Sequence, residues 1–142
     1  MLASTFCRIA RSGSIRAISI APIIVEKIAK KARSLSVVLW PGMNAEKIQA
    51  GVKLALADIA GRGWHAENCF IKPDETAVPT IERRLADSVY DCVVIGAGVR
   101  LPPSRLGVFE AVVNAVHRAA PRAAIAFNTR PEDSGAAAAR WI

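Results

Sequence analysis

The sequence predicts a small α/β protein, a three-layer sandwich around a four-stranded, mainly parallel sheet of Rossmann-like or flavodoxin-like build. Three observations carry this. From residue 35 onward, short apolar runs alternate with segments of helical period, the mark of successive βα units. One run, Cys92-Val93-Val94-Ile95, is apolar at every position, as a central parallel strand covered on both faces must be. The length of 142 residues, with 52% hydrophobic and 22% charged, gives about one domain with enough apolar material for a core.

The elements follow in order. A first strand over 35–40 stops at Pro41-Gly42, and Asn44 is positioned to cap a helix over 45–60. In that helix Ile48, Val52, Ala55, Leu56 and Ile59 recur at one-face spacing, and Gly61 and Gly63 close it. A second strand covers 65–71. After Pro73 a shorter helix is marked by Val78, Ile81, Leu85 and Val89. The third strand, 92–95, ends in Gly96-Ala97-Gly98. Pro102 and Pro103 hold off the next helix, Ser104 is its candidate cap, and Leu106, Phe109, Val113 and Val116 form its inward stripe. A strand over 123–127, a loop over 128–131 and a closing helix over 132–141 complete the chain; the alanines at 136–139 suit close packing.

Right-handed crossovers gather the strand ends on one edge, so the loops at 41–44, 72–76, 96–100 and 128–130 are expected to share a rim. Ligands in such sheets bind beyond the carboxyl ends of the strands.

The charge is uneven. The chain carries a formal +7, yet residues 1–33 hold seven bases against one acid, leaving 12 bases and 11 acids in 34–142. The expected organisation is therefore a basic N-terminal extension, 1–33, followed by a single α/β domain, 34–142. The extension has the Arg-, Ser- and Ala-rich composition of a transit peptide, and 22–33 also fits an amphipathic helix at a membrane surface; a solvated tail or an aberrant start reads equally well. Nucleic acid is not expected as a partner of the near-neutral body, which has no stacking pair or recognition signature. A transmembrane helix needs about 20 apolar residues. The longest near-apolar stretch, 17–25, contains Ser19 and Pro22. Cys7, Cys69 and Cys92 make no CxxC pair, and His65 and His117 have no ligand spacing, so no metal site is expected.

The constellation at the rim points to an anion. Gly96-Ala97-Gly98 fails as a dinucleotide fingerprint, because Leu101 stands where the third glycine belongs and Asn128 ends the next strand in place of an acid; no cofactor is expected. A looser site survives. Gly96 and Gly98 allow a nest of N–H groups, Arg100 supplies forked donors with Arg105 nearby, and Asn128, Thr129 and Arg130 come from the adjacent strand end. The competing reading makes the glycines a tight turn and pairs the arginines with Asp74, Glu75, Glu132 or Asp133. The expected function is a binding or interaction module for a small anionic ligand. The alternative is a small enzyme acting on a phosphorylated or carboxylated metabolite, with Asp74 or Glu132 as base and Arg100 as stabiliser. No catalytic residue is assigned, and adjacent carboxylates such as these commonly cap helices. A second copy of the chain is a further partner if an apolar patch is exposed.

The stretches PGMNAEKIQAG (41–51), RGW (62–64), KPDET (72–76), YDCVVIGAGVRLPP (90–103) and FNTRPEDS (127–134) resemble a family of small uncharacterised bacterial proteins over roughly 41–142. Before that segment the match ends: the family has a strand and an acid-containing loop where this chain runs straight into Pro41. The resemblance implies a compact α/β fold and a bacterial cytosol, and brings no activity to named positions. A cytoplasmic location is thus expected, or an organellar matrix if 1–33 is a transit peptide.

Overall fold

The computed structural model describes residues 32–39 and 45–142. Residues 1–31 of the basic extension, Cys7 among them, the Pro41-Gly42 turn and the Asn44 cap lie outside the described residues, whereas Arg33, expected in the extension, belongs to the folded unit. The first strand, β1 (Arg33–Leu39), begins at Arg33 rather than at 35. The extra turn of ladder has a cause beyond hydrophobic pattern: the Arg33 N–H donates to Asp91 Oδ2 at 2.8 Å, and its carbonyl accepts from the Asp91 N–H at 2.9 Å.

Helix α1 (Ala45–Gly61) buries Gly51, Val52, Ala55 and Ile59, leaving Ile48 and Leu56 half-buried on the flanks of the stripe. Gly63, at φ +77°, takes the left-handed turn that sends the chain into β2 (His65–Ile71). Helix α2 (Ala77–Ala86) buries Ala77, Ile81 and Leu85. Val89, expected on this stripe, lies past the helix end and is 63% exposed, because the chain turns there to bury Tyr90 instead. Strand β3 (Cys92–Ile95) is fully buried at all four positions.

A single helical turn, α3 (Ala97–Arg100), occupies what the pattern reads as a glycine turn. A 3-10 turn, Pro103–Arg105, then places Pro103 where its missing N–H is harmless, and α4 (Leu106–Ala119) follows. Arg105, not Ser104, holds the N-cap position of α4. The buried face is Val112, Ala115 and Val116, with Phe109 and Val113 beside it; Leu106, in the first turn, is exposed. After β4 (Ala124–Phe127) and a 3-10 turn Pro131–Asp133, α5 (Ser134–Ala138) spans five residues, shorter than the expected 132–141. Its end unwinds where the Ala138 carbonyl accepts from both Trp141 and Ile142.

The four strands are all parallel, in the order β2-β1-β3-β4, with Val37 opposite Cys69 and Ile95, and Ile95 opposite Phe127. One face carries branched side chains, Leu35, Val37, Ile71, Val93 and Ile95, packed against Ile81 and Leu85 of α2 and Val112 and Val116 of α4. The other carries small ones, Cys92, Val94 and Ala126, against Ala137 and Ala138 of α5, with Trp64 beside them. Small residues there let α5 and α1 approach closely. A Cβ on Gly135 would collide with the Asp58 carboxylate and sit 3.2 Å from Ile59 Cγ1.

Among the described residues no helix is long and apolar enough to cross a membrane. The strand order also locates a crevice. Connections leave β1 and β3 in opposite directions, so their carboxyl ends form a switch point, where open α/β sheets hold ligands.

Candidate functional site

All-parallel pairing brings 72–76, 96–100 and 128–130 to the same edge, as expected. Gly96 sits at the switch point: its N–H donates to the Val37 carbonyl of β1 at 2.9 Å, and a Cβ would lie 2.9 Å from that same oxygen. The oxygen belongs to a central strand and has little room to yield. Gly96→Ala is therefore expected to lower stability by about 1–3 kcal/mol with an unchanged urea m-value. A variant as stable as the wild type would show that β1 and β3 are not this tightly joined.

Arg100 and Asn128 come together directly, and Asn128 also meets Ala97, between Gly96 and Gly98. The Ala97 N–H donates to Asn128 Oδ1 at 2.9 Å, and Arg100 Nη2 donates to the Asn128 carbonyl at 2.8 Å. Asn128, 5% exposed, also donates from Nδ2 to Ser134 Oγ at 3.0 Å, and Ser134 donates to the Pro131 carbonyl at 2.7 Å. This chain of bonds ties β3, β4 and α5 together. The nest expected of the glycines does not form: among the described residues only Gly63 has positive φ, and Gly98 lies within α3 with its carbonyl accepting from Arg105 Nη1 at 2.8 Å.

Arg100 is the most constrained cation of the rim. Its guanidinium lies 5.7 Å from the Phe127 ring centre, and its Nε is buried without a partner. Thr129 and Arg130 turn away from it. Thr129 Oγ1 donates to Asp133 Oδ2 at 2.7 Å, and Arg130 reaches both Asp133 oxygens at 3.3 Å, with Glu132 at 3.8 Å. The hydrogen bond from Thr129, then that from Arg130, holds the Asp133 carboxyl below its ordinary range. The Thr76 hydroxyl and N–H do the same for Asp74, in a local turn before α2. A carboxylate whose pKa is lowered is a poorer proton acceptor near neutrality.

Two features escaped the pattern. Ser134 and Phe127, the two ends of the FNTRPEDS stretch, brace Asn128 and Arg100, a role that their spacing does not assign. At the opposite edge Glu67 accepts from Arg33 at 3.2 Å and from the Tyr90 hydroxyl at 2.9 Å, with Arg84 at 3.5 Å. That cluster had a signal, since Glu67 is an acid on a strand at the register of buried Leu35. Beside Tyr90 lies a cavity of about 280 Å³, lined by Leu85, Val89, Ala120, Pro121 and Arg122 among others. It falls just below the range of small-molecule sites, about 300–1,000 Å³, and the Tyr90 hydroxyl is already bonded. His65 and His117 are exposed, and no group of three His, Cys, Asp or Glu among the described residues is placed to hold a metal.

Fold and rim together define an α/β protein with a firmly bonded switch-point edge. Comparison with protein-family models, with curated proteins and with solved structures found no match for this chain.

Proposed function

We propose that the protein is a binding module for a small anion, a carboxylate or phosphate, held at the rim formed by the carboxyl ends of the strands by Arg100, whose guanidinium Asn128 fixes in place beside the Gly96 turn. One observation supports it most: the buried, unpartnered Nε–H of Arg100, whose guanidinium lies at the carboxyl end of β4. A buried donor without an acceptor costs about 1–3 kcal/mol, and an anionic oxygen arriving there relieves that cost. The Asn128 carbonyl and the Phe127 ring hold the guanidinium in place beforehand, so little side-chain entropy is lost on binding. The enzymatic alternative has less support, because Asp74 is engaged by Thr76 and held ionised. Two free, buried thiols, Cys69 and Cys92, fit a reducing compartment such as the cytoplasm.

The test is a thermal-shift series with inorganic phosphate, short dicarboxylates and nucleotides on the wild type, Arg100→Lys and Arg100→Ala. At a hundredfold excess over Kd a ligand adds about 2.7 kcal/mol to wild-type stability. The ligand-induced increment, rather than the baseline Tm, should shrink in Arg100→Lys, which keeps charge but loses the fork, and vanish in Arg100→Ala. Equal increments in all three proteins, or none with any anion, would discard this reading.

A further inference from the structure

We infer that β4 is a self-pairing edge: two copies of this chain join their β4 strands antiparallel about a two-fold axis at Ile125, making one continuous sheet of twice four strands. Among the described residues β4 has β3 as its sole neighbour. Pairing with β3 uses the backbone of alternate residues. The Ala124 N–H donates to the Asp91 carbonyl at 2.9 Å, in the register that sets Cys92 opposite Ala124 and Val94 opposite Ala126. The backbone groups of Ile125 and Phe127 therefore point away from the sheet. So does the Ala123 carbonyl, since a trans peptide sets it opposite the Ala124 N–H.

Which of these outward groups are already occupied selects the partner. The Ala123 N–H donates to the Ala120 carbonyl at 3.0 Å, and the Phe127 carbonyl accepts from Arg140 Nη2 at 2.8 Å. Among the described residues the open groups are the Ile125 N–H and carbonyl, the Phe127 N–H and the Ala123 carbonyl. With Ile125 set opposite the partner's Ile125, the two exchange both bonds, and each Phe127 N–H meets the partner's Ala123 carbonyl. The groups that would otherwise face each other, the Ala123 N–H and the partner's Phe127 carbonyl, are the two already satisfied within each copy. A second copy thus leaves nothing unpaired, whereas an unrelated extended peptide would set two of its own backbone groups against occupied ones.

Side chains agree. Residues 123–127 carry no charge and no proline, devices that commonly protect edge strands. Phe127, 36% exposed and stacked edge-on against Phe109, falls opposite the small Ala123 of the partner. The surface is isologous, as a two-fold dimer requires.

The experiment uses the full chain. Sedimentation across a wide concentration range should show a species of twice the 15.1 kDa chain mass that dissociates on dilution. Amide hydrogen exchange supplies the readout specific to this edge: Ile125 and Phe127 should be protected at high concentration and exchange faster on dilution, while Ala124 and Ala126 stay protected throughout. Phe127→Pro removes a donor that β3 does not use and should weaken the dimer roughly thirtyfold, through two lost bonds. A monomer at every concentration overturns the proposal. So does a dimer in which Ile125 exchanges at the monomer rate, or a monomer with these two amides protected by some other strand.

Discussion

Asn128→Ala should lower the stability of the folded chain by about 2–4 kcal/mol, and its Tm by about 10–20 °C. The side chain is 5% exposed, and both its polar atoms are engaged: Oδ1 accepts from the Ala97 N–H and Nδ2 donates to Ser134 Oγ. Truncation leaves a main-chain donor of α3 and an acceptor on Ser134 facing each other across a space that was occupied. The loss exceeds the net worth of two ordinary hydrogen bonds because orphaned buried groups carry their full desolvation penalty. Asn128→Asp keeps an acceptor for Ala97 but buries a carboxylate whose second oxygen faces Ser134 Oγ, an oxygen that already donates to Pro131, so at neutral pH it should be no less destabilising than alanine. Urea unfolding of the three proteins checks this order. An alanine variant within about 0.5 kcal/mol of wild type, the range of ordinary surface substitutions, would mean that Asn128 does not bind the three elements together.

That residue also marks the boundary of what the sequence discloses. The all-apolar run 92–95 is the fully buried strand β3, the stretch 65–71 is β2, and alternation alone establishes the layered fold. These are local properties, legible because a covered strand and a half-covered helix have periods of their own. Periodicity does not say where a helix stops. Val89 continues the spacing of Leu85, yet the chain leaves the helix at Ala86 and buries Tyr90, whose larger side chain fills the core beside Leu85. Helix α5 is shorter than its alanines predict for a similar reason, since alanines favour a helix anywhere and the chain beyond Ala138 turns instead.

Strand order is a property of the crossovers and has no local signal. At the rim, Arg100 is bonded to the Asn128 carbonyl and the Ala97 N–H to the Asn128 side chain, while Gly96 and Gly98 form no nest. The engagement of their polar groups with one another is a contact between residues 31 apart in the chain, which spacing cannot reveal. The start of β1 was hidden in the same way, through Arg33 and Asp91.

Raising the pH from 9 toward 12 should destabilise the folded chain by on the order of 2 kcal/mol for each of two buried groups, Cys92 and Tyr90. Burial pushes the Cys92 thiol from 9.0 up to about 11, with Asp91 adding to the rise and Arg140 opposing it. Burial, then the hydrogen bond to Glu67, pushes the Tyr90 hydroxyl from 10.0 up to about 12. Across those intervals the unfolded chain has released protons that the folded chain still holds. Stability falls with pH wherever the unfolded state binds fewer protons. The contribution is therefore complete below pH 9 for the thiol and below pH 10 for the phenol. It fades as pH rises and is gone above about 11 and about 12 respectively, with the steepest decline where the two windows overlap. Cys69, whose pKa burial also raises, adds in the same direction.

The decisive quantity is the difference between proteins, in which every titration the variants share cancels. Tyr90→Phe gives up its bond to Glu67 and should be about 1 kcal/mol less stable at neutral pH, but flatter above pH 10. Cys92→Ala should flatten the curve between 9 and 11, and the double variant should show both effects, because the two residues make no direct contact through their polar atoms. Urea midpoints measured along the pH axis give the slopes directly. If the double variant declines as steeply as the wild type from pH 9 to 12, neither buried group holds its proton in the folded state.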